Sequence, residues 1–228
     1  MKITLLEQQK KNPRRYNIYI DGKYAFGADE DTIVKFRLVP GKEVASDEIH
    51  SLLIETEVGK LMERMYGLFS VRDRSEGEIR TYLKQLSFKR QVKGDKEISG
   101  MVQEMLIDRL IEKDFLNDVR FAEAWVNARR RSKSKGKLAI KAELIKKGID
   151  RAVIDQVLDD EHSSTDEKSL AEKALQKKLS SWSSLDGIKK KQKALEFLMR
   201  RGFDYDVAKE VVAKSLSSIE EDSDIFPE

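Results

Sequence analysis

The chain has 228 residues, 37% of them charged and only 39% hydrophobic, so thin layers of amphipathic helix are expected and a single thick core is not. It has no cysteine, which excludes disulfides, thiolate metal sites and cysteine nucleophiles. No stretch approaches the ~18 consecutive apolar residues of a membrane span, and MKITLLEQQKK is too short and polar for a signal peptide, so a cytoplasmic protein with no membrane partner is expected.

The net charge of +3 hides a segregation. Lys168 to Lys214 carries twelve bases against six acids, whereas residues 217–228 carry five acids and no base. A basic body of this kind suits a polyanion or an acidic protein surface.

Taken in order, Lys2 to Leu6 reads as a short strand, followed by the basic loop QQKKNPRR. Tyr16–Ile20 and Lys23–Phe26 are β-prone runs separated by Asp21-Gly22, the residue pair suited to a type I′ hairpin turn. The Lys2 strand is expected to add a third partner, with a helix covering one face. Asp29-Glu30-Asp31 ahead of Thr32 reads as an acidic helix start, and a metal site is the alternative. After Pro40-Gly41 the chain turns helical. Ser46-Asp47 is expected to cap a helix carrying Ile49, Leu52 and Leu53, and Leu61, Met65, Leu68 and Phe69 continue an apolar stripe on the helix, Leu61 to Phe69, that is expected to begin the first repeat. Ser75 to Glu78 has the form of a capping box, opening a helix that Ser87-Phe88 is expected to end.

Asn117 and Asp118 are helix-capping types, and Phe121, Ala124, Trp125 and Ala128 follow at the spacing of one helix face, which is expected to be buried. From Arg129 to Lys137 there are six bases and no acid, and Gly136 interrupts the run before Ile140 and Leu144 restart a stripe. The run reads as a positively charged helix end and turn.

Internal repetition then sets the architecture. Ile140, Leu144, Gly148 and Ile149 recur as Ala194, Leu198, Gly202 and Phe203, 54 residues later. At the same offset Val153, Ile154, Val157 and Leu158 recur as Val207, Ala208, Val211 and Val212, and Asp150 and Asp204 are alike placed as caps. Ile79, Leu83, Ser87 and Phe88, then Met101, Val102, Met105 and Leu106, fit the pattern upstream once an insertion within KRQVKGDKEIS is allowed, which should be a loop. Gly148 and Gly202 each follow a basic pair, Lys146-Lys147 and Arg200-Arg201, as expected of left-handed glycines after helix ends.

The fold class is therefore mainly α: tandem three-helix modules in an elongated curved array, behind a small N-terminal segment containing a β-hairpin. The expected divisions are 1–57 for the hairpin and a helix, 58–117, 118–163 and 164–216 for three repeats, and 217–228 for an acidic disordered tail. The acidic Ser/Thr stretch DDEHSSTDE, residues 159–167, is expected to be a protease-sensitive linker. His162 within it reads as solvated, and His50 as structural.

The module pattern, with SVRDRSEGEIRTYLKQLSF in the first unit, FLNDVRFAEAWVNARR leading into KGKLAIKAELIKKGI in the second, and KKQKALEFLMRRGFDYD in the third, resembles the bacterial RecX regulators of RecA recombinase. YNIYIDGKYAFGADEDTIVKFRLVPGKEV is similar to the N-terminal extension of longer members, so the resemblance covers nearly the whole chain except the acidic tail. It implies a non-enzymatic protein that binds the RecA–single-stranded DNA filament, limits its growth and lowers its ATPase, strand-exchange and coprotease activities. It also implies single-stranded and weak double-stranded DNA binding, and a place in homologous recombination, DNA repair and the SOS response. Ser87 departs from the glycine of the other modules, and Asp114 stands before Phe115 where many relatives have glycine. Asp tolerates the left-handed conformation.

The residues expected to meet DNA phosphate or acidic filament surface are Arg129, Arg130, Arg131, Lys133, Lys135 and Lys137, and after them Lys189, Lys190, Lys191, Arg200 and Arg201. Phe121, Trp125 and Phe203 lie on apolar stripes and read as core, not as base-stacking groups. A monomer without cofactor or metal is expected. A DNA-binding regulator reading bases through a helix-turn-helix within one module is the rival reading. A hydrolase built on Asp159, Asp160 and Glu161 or on Asp29 to Asp31 lacks a phosphate loop, a nucleophile–base set and metal-ligand spacing.

Overall fold

The computed structural model describes the backbone of residues 1–160 and 164–223, and the side chains of 1–159 and 167–217. These residues form two compact units, one of residues 1–74 and 79–116, the other of residues 75–78 and 117 onward.

In the first unit, β1 (Ile3–Gln8), β2 (Arg15–Ile20) and β3 (Lys23–Asp29) form an antiparallel sheet in the order β1-β2-β3. Asp21 and Gly22 both have positive φ, 49° and 79°, and Ile20 pairs with Lys23, so the two-residue hairpin expected from the sequence is present. Ile3, Ile18, Ile20, Phe26 and Ala28 face inward and pack with Leu38, Val44 and Leu52. Asp29 caps α1 (Glu30–Lys35) by accepting the Thr32 N–H at 2.8 Å, so the acidic stretch serves as a helix start.

Helix α2 (Ser46–Phe69) is one helix of 24 residues where two stretches were expected. Ser46 is its first residue and not its cap: Ala45 holds the cap position and makes no side-chain bond. Leu53 and His50 are exposed, while Leu52 is buried beneath the sheet. The second half of α2 buries Val58, Leu61, Met62 and Met65 against α3 (Glu76–Val92) and α4 (Gly100–Glu112). Helix α3 runs past Ser87-Phe88. A left-handed stop strongly favours glycine, and the first one available is Gly94, at φ 78°. Phe88 is consequently exposed, and Ile98 fills the core position; its N–H reaches back to the Ser87 hydroxyl at 3.0 Å. Asp114 does take the left-handed conformation, φ 57°, closing α4 so that Phe115 reaches Tyr66 and Phe69.

The second unit contains α5 (Asp118–Lys133), α6 (Lys137–Lys146) and α7 (Arg151–Asp160), then α8 (Ser164–Leu179), α9 (Gly187–Arg200) and α10 (Tyr205–Ser223). The repeat read from the sequence corresponds to two cores. Ile140, Leu144, Ile149, Ile154, Val157 and Leu158 are all buried, and so are their counterparts Ala194, Leu198, Phe203, Ala208, Val211 and Val212. Gly148 and Gly202 have φ 78° and 85°, and Asp150 and Asp204 accept N–H bonds two residues on. The buried face of α5 is rotated from the one expected: Phe121, Ala122, Val126 and Arg130 are buried, whereas Ala124 and Ala128 are exposed. Of the expected linker, residues 159–160 end α7 and 164–167 begin α8, while 161–163, including His162, lie outside the described residues. Of the expected tail, 217–223 continue α10 and 224–228 lie outside the described residues.

One joint recurs in this unit. The N–H of Gly136, just before α6, donates to the Arg201 carbonyl at the end of α9 at 2.9 Å, and Leu138 N–H donates to the Gly202 carbonyl at 3.0 Å. At the position equivalent to Gly136, the Ser75 hydroxyl donates to the Lys147 carbonyl at the end of α6 at 2.6 Å. Donors at one helix start, backbone N–H groups in the first joint and the Ser75 hydroxyl in the second, thus satisfy carbonyls at another helix end. Each joint is close-packed at a glycine: a Cβ at Gly136 would lie 2.3 Å from the Gly202 oxygen, and one at Gly77 would lie 2.6 Å from the Lys147 oxygen.

Candidate polyanion-binding site

Helices end in exposed carbonyls, and the negative end of the dipole favours cations in the last turn. In the second unit the ends of α5, α8 and α9 converge. Between them is a cavity of about 510 Å³ lined by Lys133, Lys135, Lys177, Lys178, Arg200 and Arg201, with no carboxylate in its lining. Arg201 fixes one wall: its guanidinium donates to the Lys133 carbonyl and lies 4.7 Å over the Phe197 ring. A neighbouring cavity of about 430 Å³ shares Ser134 and Lys177 and adds Arg130, Arg131 and Lys173. Concave walls with charges of one sign concentrate anions.

The basic run of the sequence is divided by its partners. Glu143 gathers three donors: Trp125 Nε1 at 2.8 Å, Arg129 Nε at 2.6 Å and the Lys135 ammonium. Burial raises the pKa of this carboxyl, but hydrogen bonds from Lys135, Arg129 and Trp125 together outweigh it and hold the group at about 2. The Arg129 guanidinium also stacks 4.0 Å over the Trp125 ring, with the Lys147 ammonium 4.9 Å from the same ring. Lys137 pairs with Asp159 at 2.6 Å, and its N–H donates to Glu167. Arg130 is buried, 3.9 Å from Glu167, and is the member of the run that does not fit an exposed contact surface. Arg131 and Lys133 are exposed.

The second group divides as well. Arg200 and Arg201 join the cavity. Lys189, Lys190 and Lys191 stand at the other end of α9, roughly 15 Å away at 1.5 Å per residue, where Lys189 pairs with Asp186 at 3.3 Å. Phe121 and Phe203 are core, as expected, and Trp125 is half-buried. Lys177, Lys178 and Lys173 were not singled out from the sequence. Their signal was available: Phe121, Ala122, Trp125 and Val126 correspond to Leu170, Ala171, Ala174 and Leu175, 49 residues on, which puts Lys178 at the place of Arg129.

No helix among the described residues is long and apolar enough to cross a membrane, and among them no group of three or more His, Asp or Glu side chains is placed to hold a metal ion.

Residues 1–45 match the family model of the regulatory protein RecX N-terminal domain, 117–158 that of the RecX second three-helix domain, and 166–212 that of the RecX third three-helix domain. The chain is 33% identical over 209 residues to the regulatory protein RecX of Listeria welshimeri, covering 92% of this chain and 74% of that one. It is 35% identical over 222 residues to regulatory protein RecX of Bacillus subtilis, covering 97% and 78%. A crystal structure of regulatory protein RecX superposes with a TM-score of 0.74 at 28% identity, covering 92% of this chain and 98% of that one. With the β-hairpin extension and the three-helix modules in the same order along the chain, this protein belongs to the RecX family of regulatory proteins.

Proposed function

We propose that this protein regulates RecA by binding the RecA–single-stranded DNA filament and lowering its ATPase, strand-exchange and coprotease activities, without chemistry of its own. The observation that carries the reading is the six-cation cavity with no carboxylate in its lining, found in a chain of the RecX family. Its cations suit DNA phosphate or an acidic filament surface. Tandem modules let several weak contacts act at high effective concentration on a repeating partner.

The test adds purified protein to preformed RecA filaments and follows ATPase and filament length together. A variant carrying Lys133→Glu, Lys177→Glu, Lys178→Glu and Arg200→Glu reverses four exposed charges of the cavity. Because exposed charges contribute little to folding, it should keep its helix content and melting temperature while losing filament binding. On single-stranded DNA alone, each lost phosphate contact should flatten the salt dependence by about 0.7 log unit per log salt. Undiminished binding and inhibition by this variant would remove the cavity from the mechanism, and no effect of the native protein on either measurement would remove the function.

A further inference from the structure

The first unit has a sheet face that the core does not use. Ile3, Ile18, Ile20, Phe26 and Ala28 point to the core side. On the opposite face Tyr19 of β2 pairs across the strands with Tyr24 of β3, ring centroids 6.0 Å apart and edge to face, with Leu5 of β1 paired beside Tyr19. Tyr24 is 58% exposed and Leu5 49%. Glu7 is the acid on this face, and it accepts the Tyr19 hydroxyl at 3.0 Å, which steadies that ring. Tyr24 reaches along β3 towards Gly27, where an added Cβ would come within 3.8 Å of its hydroxyl, so a ring of large area is held against the strand and open to solvent. An aromatic pair left open on a sheet has an energetic cost that a stacking partner would relieve.

Cations flank the pair at both ends. The first 23 residues contain six bases, Lys2, Lys10, Lys11, Arg14, Arg15 and Lys23, against the two acids Glu7 and Asp21. Arg15 is buried and bonded to the Gly27 carbonyl, and the other five bases are exposed. Lys10, Lys11 and Arg14 lie in the turn between β1 and β2, beyond the Arg15 end of the sheet. That turn is fixed by Gln9 N–H to the Arg15 carbonyl at 2.8 Å, Gln8 Nε2 to the Pro13 carbonyl at 2.7 Å and Asn12 Nδ2 to Glu63 at 3.1 Å. Four residues of strand separate Arg15 from Tyr19, roughly 13 Å at 3.3 Å per residue. Lys2 and Lys23 stand at the hairpin end, together with Asp21, whose carboxylate is held by the Lys2 N–H at 2.9 Å.

We infer that this face is a stacking platform for single-stranded nucleic acid, with an unpaired base lying on Tyr24, whose ring Tyr19 supports edge to face, and the flanking phosphates reaching Lys10 and Lys11 on one side and Lys2 and Lys23 on the other. Aromatic side chains between cations are the arrangement by which proteins bind single strands without reading sequence. A duplex offers no free base face, so the site discriminates by strandedness. It is separate from the cavity at the ends of α5, α8 and α9, and its success or failure does not depend on that cavity's role.

The test uses the full chain and a labelled oligothymidylate, with a duplex of equal length as the second probe, both read by fluorescence anisotropy across a salt series. Tyr24→Ala should weaken single-strand binding about 5- to 150-fold, the range for losing one stacked base, and leave the salt slope and duplex binding unchanged. Tyr24→Trp should retain binding. The pair Lys10→Ala and Lys11→Ala should instead flatten the salt slope. An oligonucleotide bearing 5-iododeoxyuridine should crosslink to the segment containing Tyr19 and Tyr24. Native affinity in Tyr24→Ala with no crosslink in that segment overturns the proposal. So does equal loss on single strand and duplex, which would mean phosphate contact without stacking. Unchanged DNA binding with a lost effect on RecA filaments would assign the face to a protein and likewise overturn it. The four-charge variant of the cavity, measured alongside, fails or succeeds independently through its salt slope.

Discussion

Gly136→Ala tests the joint between α6 and α9 with one methyl group. The new Cβ would lie 2.3 Å from the oxygen and 2.4 Å from the carbon of Gly202, and 2.5 Å from the nitrogen of Phe203. All three are main-chain atoms, so no rotamer change relieves the overlap, and the two helix ends must part by about 1 Å to reach ordinary contact. That movement takes the Gly136 to Arg201 and Leu138 to Gly202 hydrogen bonds, 2.9 and 3.0 Å long, beyond bonding range. Two lost bonds at ~1 kcal/mol each and an overpacking cost of ~1–3 kcal/mol, offset by a smaller unfolded-state gain for alanine, leave a net loss of about 2–4 kcal/mol. Gly187→Ala is the matched control. It opens α9, has ordinary φ and has nothing within 4 Å of an added Cβ, so it should be neutral or stabilising by about 0.4–1 kcal/mol. Trp125 and Trp182 pack in the two cores of this unit, so their fluorescence in urea reads the unit directly. With a slope of about 2 kcal/mol/M, the Gly136→Ala midpoint should fall by roughly 1–2 M. A midpoint no lower than that of Gly187→Ala would refute the reasoning that this joint is close-packed backbone.

Three further outcomes are expected. The Glu143 carboxyl is depressed from 4.5 to about 2, so its contribution to stability is complete above about pH 4.5 and is lost as pH falls towards 2; Glu143→Gln should flatten the stability profile over that window in acid titration of urea midpoints. Arg130→Glu places a second carboxylate beside Glu167 in a buried site and should cost on the order of 3 kcal/mol, whereas Arg131→Glu at an exposed position should stay within about 0.5 kcal/mol, as paired melting curves would reveal. Asp29→Ala removes the cap of α1 and should cost about 1 kcal/mol in the first unit, a loss that Asp29→Asn should largely avoid in the same denaturation assay.

The helix pairs 54 residues apart were legible because burial obeys helix geometry: Ile140 and Ala194, Leu144 and Leu198, Val157 and Val211 are buried at matching positions, whatever their size. The left-handed glycines at 148 and 202 marked the helix ends for a stereochemical reason, and the same reason misplaced the end of α3, since Ser87 is not glycine. The face of α5 was less legible. Alanines at 122, 124 and 128 give no apolar contrast, and the burial of Arg130 depends on Glu167, which only the tertiary fold brings near. The candidate site was half legible for the same reason. Clustered cations are visible along the chain, but which of them remain exposed is decided by Glu143, Asp159 and Glu167 across the fold, and the cavity needs Lys177 and Lys178 from a helix end distant in sequence.

The joint that links α6 to α9 has no counterpart at the start of α9. It needs an unused backbone donor at a helix start. In α9 the residue equivalent to Gly136 is Lys190, and α9 has already begun at Gly187, so the Lys190 N–H is bonded to the Asp186 carbonyl at 2.9 Å. One additional helical turn thus consumes the donor that a further repeat would require. A helix start extended in this way is closed to the joint by main-chain hydrogen bonding alone. Because the joints rest on main-chain atoms, close-packed glycines and a single hydroxyl, each repeat's outward face is left open to carry its own charge.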